Sequence, residues 1–320
     1  MTLIQAIPAT PLTKRRIPAL FFILMTVLCL WQCASPPKQE EPPSLPEQWT
    51  VMQQEQFGGY EYQFGYVTLP DGYNEHRFYL LQNGIPVLDQ PCSEFTTIIS
   101  VGEQGYLDFP AIKPTLTDLN HDGVMDLIVQ HFTGGAHCCF QYWIYTLGDT
   151  PSQLAFLESK DSQLVFVDKD NDGIFEIEGA DKTFAYWQTD YATSPAPLFV
   201  LTFTPDGLKL DTEKMRQPTP SESELENMVM RARSELGKTI SENQDEAWRY
   251  AGIHPAVWAT MLDLIYTGNG NVAWDFFDRV WRNGVRGKDE FRAGFTALLQ
   301  SSPYWDGIRE MNGWQQETEG

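Results

Sequence analysis

Two short runs carry the residues most able to do chemistry. The first is Leu116-Thr117-Asp118-Leu119-Asn120-His121-Asp122-Gly123-Val124-Met125-Asp126-Leu127. The second, 50 residues later, is Phe166-Val167-Asp168-Lys169-Asp170-Asn171-Asp172-Gly173-Ile174-Phe175-Glu176-Ile177. Both read apolar-x-D-x-[ND]-x-D-G-apolar-x-[DE]-apolar. Side-chain oxygens on alternate positions of a tight turn converge on one point, which suits a hard cation such as Ca²⁺ that takes about 6–8 oxygens at about 2.3–2.6 Å. Gly123 and Gly173, at the sixth position, permit the sharp turn. The ligands expected in the first loop are Asp118, Asn120, Asp122, Asp126 and the Val124 carbonyl. In the second they are Asp168, Asp170, Asp172, Glu176 and the Ile174 carbonyl, so two Ca²⁺ ions are expected. An EF-hand would need a glutamate at the twelfth position and flanking helices. Val129 and Gly179 stand there instead and the flanks read as strands, so that motif is excluded. The competing reading is an Asx-rich turn without metal, since Asp and Gly favour turns in their own right.

The segment Gly134-Gly135-Ala136-His137-Cys138-Cys139 is the other place where reactive groups crowd. Its sharp readings are a thiolate nucleophile paired with His137 and a soft-metal site. Zinc ligands normally come as spaced C-x₂₋₄-C pairs, and catalytic Cys and His usually meet in space rather than in sequence. The expectation is therefore a Gly-Gly turn entering a buried, disulfide-linked strand. Cys92, Cys138 and Cys139 are the cysteines of the folded body. In an oxidising compartment three suggest one bridge and one leftover thiol, with Cys92 to Cys138 or Cys139 preferred over a bond within the adjacent pair.

The elements that must hold these groups are short strands. Arg77–Leu81 and Ile85–Leu88 flank Asn83-Gly84, a strong hairpin signal because both positions tolerate positive φ. Phe199–Phe203 and Leu208–Leu210 flank Pro205-Asp206-Gly207. Between lie the apolar runs Leu127–Val129, Tyr142–Tyr145 and Leu164–Val167, with no long helical period, so residues 56–215 are expected to be all-β. The duplicated D-x-[DN]-x-D-G-x-x-[DE] turn with strands on each side resembles the FG-GAP/VCBS type of repeat, seen in integrin-like β-propellers and related bacterial surface proteins. That resemblance, carried by about 100 residues, implies a Ca²⁺-binding turn linking two strands of a blade. About 155 residues are too few for a seven-bladed ring at about 40–50 residues per blade, so a small propeller-like or sandwich-like domain is expected.

From Thr219 the period changes. Thr219-Pro220-Ser221-Glu222 reads as a capping box with Pro at the first helical position, and Leu225, Met228, Val229, Ala232 and Leu236 share a face up to Gly237. Pro255 opens a second helix, closed by Gly268. Asn271 caps a third, closed by Gly284, and Lys288–Gln300 forms a fourth. Short connections imply a small antiparallel bundle over residues 219–320. Its tryptophans and phenylalanines are expected in the core, and His254 at a cap or on the surface.

At the other end, Lys14-Arg15-Arg16 precedes an apolar run, Ile17–Trp31, too short for the roughly 20 residues of a membrane span. Leu30-Trp31-Gln32-Cys33 resembles a bacterial lipoprotein signal, which implies acylation of Cys33; ordinary cleavage after Ser35 is the competing reading. Residues 1–33 are then a signal, and 34–55 a Pro/Glu-rich tether. The 320-residue chain has 43 acidic and 22 basic residues, a charge of −21. Loss of Lys14, Arg15 and Arg16 leaves 43 acids against 19 bases, or −24. Such a surface opposes nucleic-acid binding and favours a cation. With no G-x-S-x-G, H-E-x-x-H or P-loop, the expectation is a calcium-stabilised exported lipoprotein, at the outer membrane on its periplasmic or outer side, that binds a protein or an envelope glycan without catalysis. The alternative is an envelope hydrolase using His137 with Cys138 or Cys139, or a carboxylate pair.

Acylation is open to a direct check. Growth of a bacterial expression host with a radiolabelled fatty acid is expected to label the full-length chain and leave Cys33→Ser unlabelled. Label retained by Cys33→Ser contradicts the assignment.

Overall fold

Asn83 and Gly84, both at positive φ, turn one strand back on the next so that Gln82 faces Ile85. That hairpin belongs to a sheet of β1 (Thr50–Phe57), β2 (Tyr60–Thr68), β3 (Asn74–Gln82) and β4 (Ile85–Pro91), each antiparallel to its neighbour. The structure is a computed structural model that describes residues 43–101, 116–240, 255–281 and 287–315, all within the unit Pro42–Gly320. The expected signal (1–33), the lipidation residue Cys33 and the first part of the tether lie outside the described residues, as do His254 and Gly284.

Two further four-stranded antiparallel sheets repeat the meander. The second runs β5 (Thr96–Ile99), β6 (Asp126–Gly135), β7 (Cys138–Thr146), β8 (Ser152–Lys160). The third runs β9 (Val165–Val167), β10 (Glu176–Ala180), β11 (Leu198–Thr204), β12 (Gly207–Leu210). Among the described residues six α-helices follow: α1 (Thr212–Met215), α2 (Glu222–Ile240), α3 (Pro255–Tyr266), α4 (Gly270–Val280), α5 (Lys288–Gln300) and α6 (Trp305–Met311). The result is a mixed, β-rich fold with no closed barrel among the described residues.

The central strands of the second sheet, β6 and β7, are buried on both faces over most of their length, which explains why they read as continuous apolar runs rather than alternating ones. Leu127, Val129, Trp143 and Tyr145 pack with Tyr62, Phe64, Phe78 and Leu80 of the first sheet. Their neighbours Ile128, Tyr142 and Ile144 join the cluster that holds Phe166, Ile177 and Phe199 of the third sheet. That same cluster continues into the helices through Trp258, Met261, Phe276, Phe277 and Phe295, so the described helices share a core with the third sheet. A buried carboxylate ties the layers: Asp181 accepts hydrogen bonds from Tyr266 of α3 and from Ser302.

Several expected boundaries shift for physical reasons. The tether does not reach residue 55, because β1 begins at Thr50; this strand is mostly polar, so alternation does not betray it. Gly65 lets Trp49 cross the sheet, where its Nε1 donates to Gln63 at 3.0 Å. The capping box sits two residues later than expected: the Ser221 N–H donates to Glu224 Oε2 at 2.7 Å, and the Glu224 N–H reaches back to Ser221 Oγ at 3.4 Å. Helix α2 continues through Gly237 to Ile240, and α4 is capped at Asn269 rather than Asn271. Helix α5 spans the residues expected of it, while α1 and α6, of four and seven residues, are too short for a period to show.

His131 of β6 gives this core a pH dependence. It is 8% exposed, and its Nδ1 accepts the Ser93 N–H at 3.1 Å, so the ring is neutral with its proton on Nε2. Burial lowers its pKa from the usual 6.5. Below about pH 6.5 the unfolded chain gains a proton that the folded one refuses, so stability is lost as pH falls toward the depressed folded value. Thermal melts between pH 7 and pH 5 should fall more steeply in the wild type than in His131→Gln, whose amide oxygen can still accept from Ser93. Equal slopes contradict the assignment.

Candidate metal centre

The first loop links β5 to β6 and the second links β9 to β10, so each joins the first and second strands of its sheet. Their backbones are held alike. Asp118 accepts the N–H of Asp122 at 3.0 Å on one oxygen and of Gly123 at 2.8 Å on the other. Asp168 accepts the N–H of Asp172 and of Gly173, both at 3.1 Å. Asp122 Oδ1 accepts from Val124, and Asp172 Oδ1 from Ile174, each at 2.8 Å. His121 and Asn171 share a left-handed φ of 58° and 60°, and Gly123 and Gly173 follow at 86° and 88°. These Asx turns give the two loops the same shape.

Asp126 and Glu176, the ninth residues of the motif, open β6 and β10 and are buried at 2% and 0% exposure. Each accepts the N–H that follows the first aspartate: Leu119 donates to Asp126 Oδ2 at 2.8 Å, and Lys169 donates to Glu176 Oε2 at 2.9 Å. The remaining oxygens differ. Asp126 Oδ1 is buried without a hydrogen-bond partner. Burial pushes the Asp126 carboxyl up to about 6; Asp122 and Asp118 push the same way, while the Leu119 N–H and the Thr146 hydroxyl oppose it. A buried polar atom left unpaired costs about 1–3 kcal/mol, and more when charged, so a cation here would remove a real penalty.

In the second loop Asp168, Asp170 and Glu176 each bring one oxygen within 4.8 Å of the others, a spacing that can hold a metal ion. The corresponding first-loop residues are Asp118, Asn120 and Asp126. There the Asn120 amide leans on its neighbour, with Nδ2 donating to Asp122 Oδ2 at 2.9 Å. Glu176 Oε1 is paired with a residue that sequence reasoning did not single out. Lys214 of α1 places its Nζ on Glu176 and 2.9 Å from Asp170 Oδ2. Burial works to lower the Lys214 pKa, but the two carboxylates outweigh it and hold the ammonium above its usual value. The hydrogen bond from Lys214 in turn lowers Asp170. A single lysine 38 residues from its partner leaves no local sign.

The loops also touch each other. The Phe175 N–H donates to the Leu119 carbonyl at 2.9 Å, and the His121 imidazole lies against Gly173.

The cysteines do not form the preferred bridge. Cys138 and Cys139 are bonded to each other at the start of β7, and Cys92 is a free thiol. Cys92 closes β4 by donating its N–H to the His76 carbonyl at 3.0 Å. Burial raises its thiol to about 11. Gly134 and Gly135 end β6 rather than form the turn, and the hairpin reverses at Ala136-His137, with Gly135 opposite Cys138 and both cysteines only half-buried. His137 stacks on Tyr191, with ring centroids 3.8 Å apart.

The contact between loops predicts a coupled substitution pair. Gly173→Ala meets both positive φ and the His121 ring, and should cost about 1–3 kcal/mol in denaturant unfolding. His121→Ala removes the collision but not the φ strain, so the double variant should be more stable than the sum of the singles predicts. Additive losses contradict the contact.

No protein-family model matches the chain, and comparison with curated proteins and with solved structures gives no match.

Proposed function

We propose that this protein is an exported, lipid-anchored binding module of the cell envelope whose second and third sheets are fixed by Ca²⁺ at the Asp118–Asp126 and Asp168–Glu176 loops. The observation that carries the metal reading is Asp126, a carboxylate 2% exposed with one oxygen unpartnered, facing the charges of Asp118 and Asp122. A hard cation supplies what that oxygen lacks. The recurrence of one loop between the first and second strands of two consecutive four-stranded meanders supports a blade-like, propeller-type arrangement of the sheets.

The chemistry of what remains supports binding rather than catalysis. The Cys138–Cys139 bond leaves no thiolate beside His137, and the Cys92 thiol, raised to about 11, is a poor nucleophile at neutral pH. The acidic composition opposes phosphate backbones, which supports a protein or an envelope glycan as the partner. Acylation at Cys33 would tether the folded unit to the bacterial outer membrane. No helix of the described residues is long and apolar enough to cross a membrane.

The test is a pair of melts, in Ca²⁺ and in chelator, on the wild type and Asp126→Asn. The variant keeps an oxygen for the Leu119 N–H but no buried charge, so in chelator it should melt at or above the wild type. At ten times its dissociation constant a site contributes about 1.4 kcal/mol, so Ca²⁺ should raise the wild type by roughly 3–6 °C, and the variant should lose much of that shift. An equal shift in both proteins overturns the reading.

A further inference from the structure

The two loops share a backbone, a turn chemistry and a buried carboxylate, yet they are not equivalent as cation sites. In the first, the spare oxygen of Asp126 has no partner, and among the described residues no lysine or arginine pairs with Asp118, Asp122 or Asp126. In the second, the spare oxygen of Glu176 is taken by the Lys214 ammonium, which also holds Asp170. Asp170 and Glu176 supply two of the three oxygens that converge there. Lys214 therefore competes with a divalent cation for the carboxylates of Asp170 and Glu176.

We propose that Lys214 is the resident cation of the second loop, so that a divalent ion fills the first loop first and enters the second only by displacing Lys214. The inference rests on the reading that these loops take divalent cations, and it assigns their order and their competitor.

The local structure makes the exchange feasible. The backbone of α1 is fixed independently of the ammonium: Asp211 Oδ1 accepts the Lys214 N–H at 2.9 Å, the Asp211 N–H donates to Val200 at 2.8 Å, and Met215 is buried. The Lys214 side chain is 26% exposed, on the solvent side of Glu176 at 0%. It can swing into water without unfolding the helix. Its departure would leave Glu176 as bare as Asp126 unless a cation replaced it, so second-site occupancy and Lys214 release are one event. The site is therefore a charge exchange, with one ammonium leaving as one divalent ion arrives.

The experiment is equilibrium dialysis of radioactive Ca²⁺ against the full-length chain in detergent, for the wild type, Lys214→Met, Lys214→Arg and Asp126→Asn. The wild type should show one tighter and one weaker site, with Asp126→Asn removing the tighter. A site held closed nine-tenths of the time binds about tenfold more weakly, so Lys214→Met should tighten the weaker site by about tenfold and leave the tighter one unchanged. Lys214→Arg, which keeps the charge, should leave the weaker site weak. If Lys214→Met fails to fold, Lys214→Gln carries the same expectation. Two wild-type sites that Lys214→Met does not change overturn the proposal and leave the calcium reading standing. Binding in no variant overturns both. A wild type without binding, beside a Lys214→Met chain that gains one ion, sinks the first-loop reading and supports the role of Lys214.

Discussion

A carboxylate buried at the start of a strand is the constraint on which this fold turns. Asp126 opens β6 and Glu176 opens β10, and each is carried out of water by the turn that the motif builds. Taking an ion of this size into the interior costs several kcal/mol, of order the net stability of a domain, unless positive charge meets it. One backbone N–H per carboxylate, joined at Asp126 by the Thr146 hydroxyl, is a partial answer. The remainder is a lysine in one loop and, in our account, a divalent ion in the other.

What hangs on those two carboxylates is the joint between sheets. Strand β6 is buried on both faces, giving Leu127 and Val129 to the first sheet and Ile128 to the core shared with the third. The third sheet meets the second through the Phe175–Leu119 hydrogen bond and through Tyr142, whose hydroxyl accepts the Leu164 N–H at 2.9 Å. Lys214 extends the chain of contacts to α1, next to the helices that share the third sheet's core. Charge at the loops is thus linked to packing across the whole unit, and a cation acts on more than the five residues that would hold it.

Local features were the legible ones. The aspartate loops and the Asn83-Gly84 hairpin could be placed because turn chemistry is written in adjacent residues, and helix α5 because its apolar period is unbroken. β1 escaped notice because its alternation is polar on polar. The start of α2 was misplaced because Thr219-Pro220-Ser221-Glu222 and Ser221-Glu222-Ser223-Glu224 both satisfy a capping rule, and only the Ser221–Glu224 hydrogen bonds choose between them. Lys214 and the Cys138–Cys139 pairing had no such signature. The first is a contact across 38 residues, and for the second the choice among three cysteines depends on where the hairpin tip and the end of β4 lie in space. The Asp126 environment was legible as a motif position but not as an unpaired, buried oxygen.

The account is tested most directly by a crystal structure of the chain grown in millimolar Ca²⁺, with anomalous scattering used to place the ion. It predicts a peak at about 2.3–2.6 Å from Asp126 Oδ1 in the first loop. At Ca²⁺ levels that fill only one site, Lys214 should still lie against Glu176. A first loop without an anomalous peak, its Asp126 oxygen still unpaired, would contradict it.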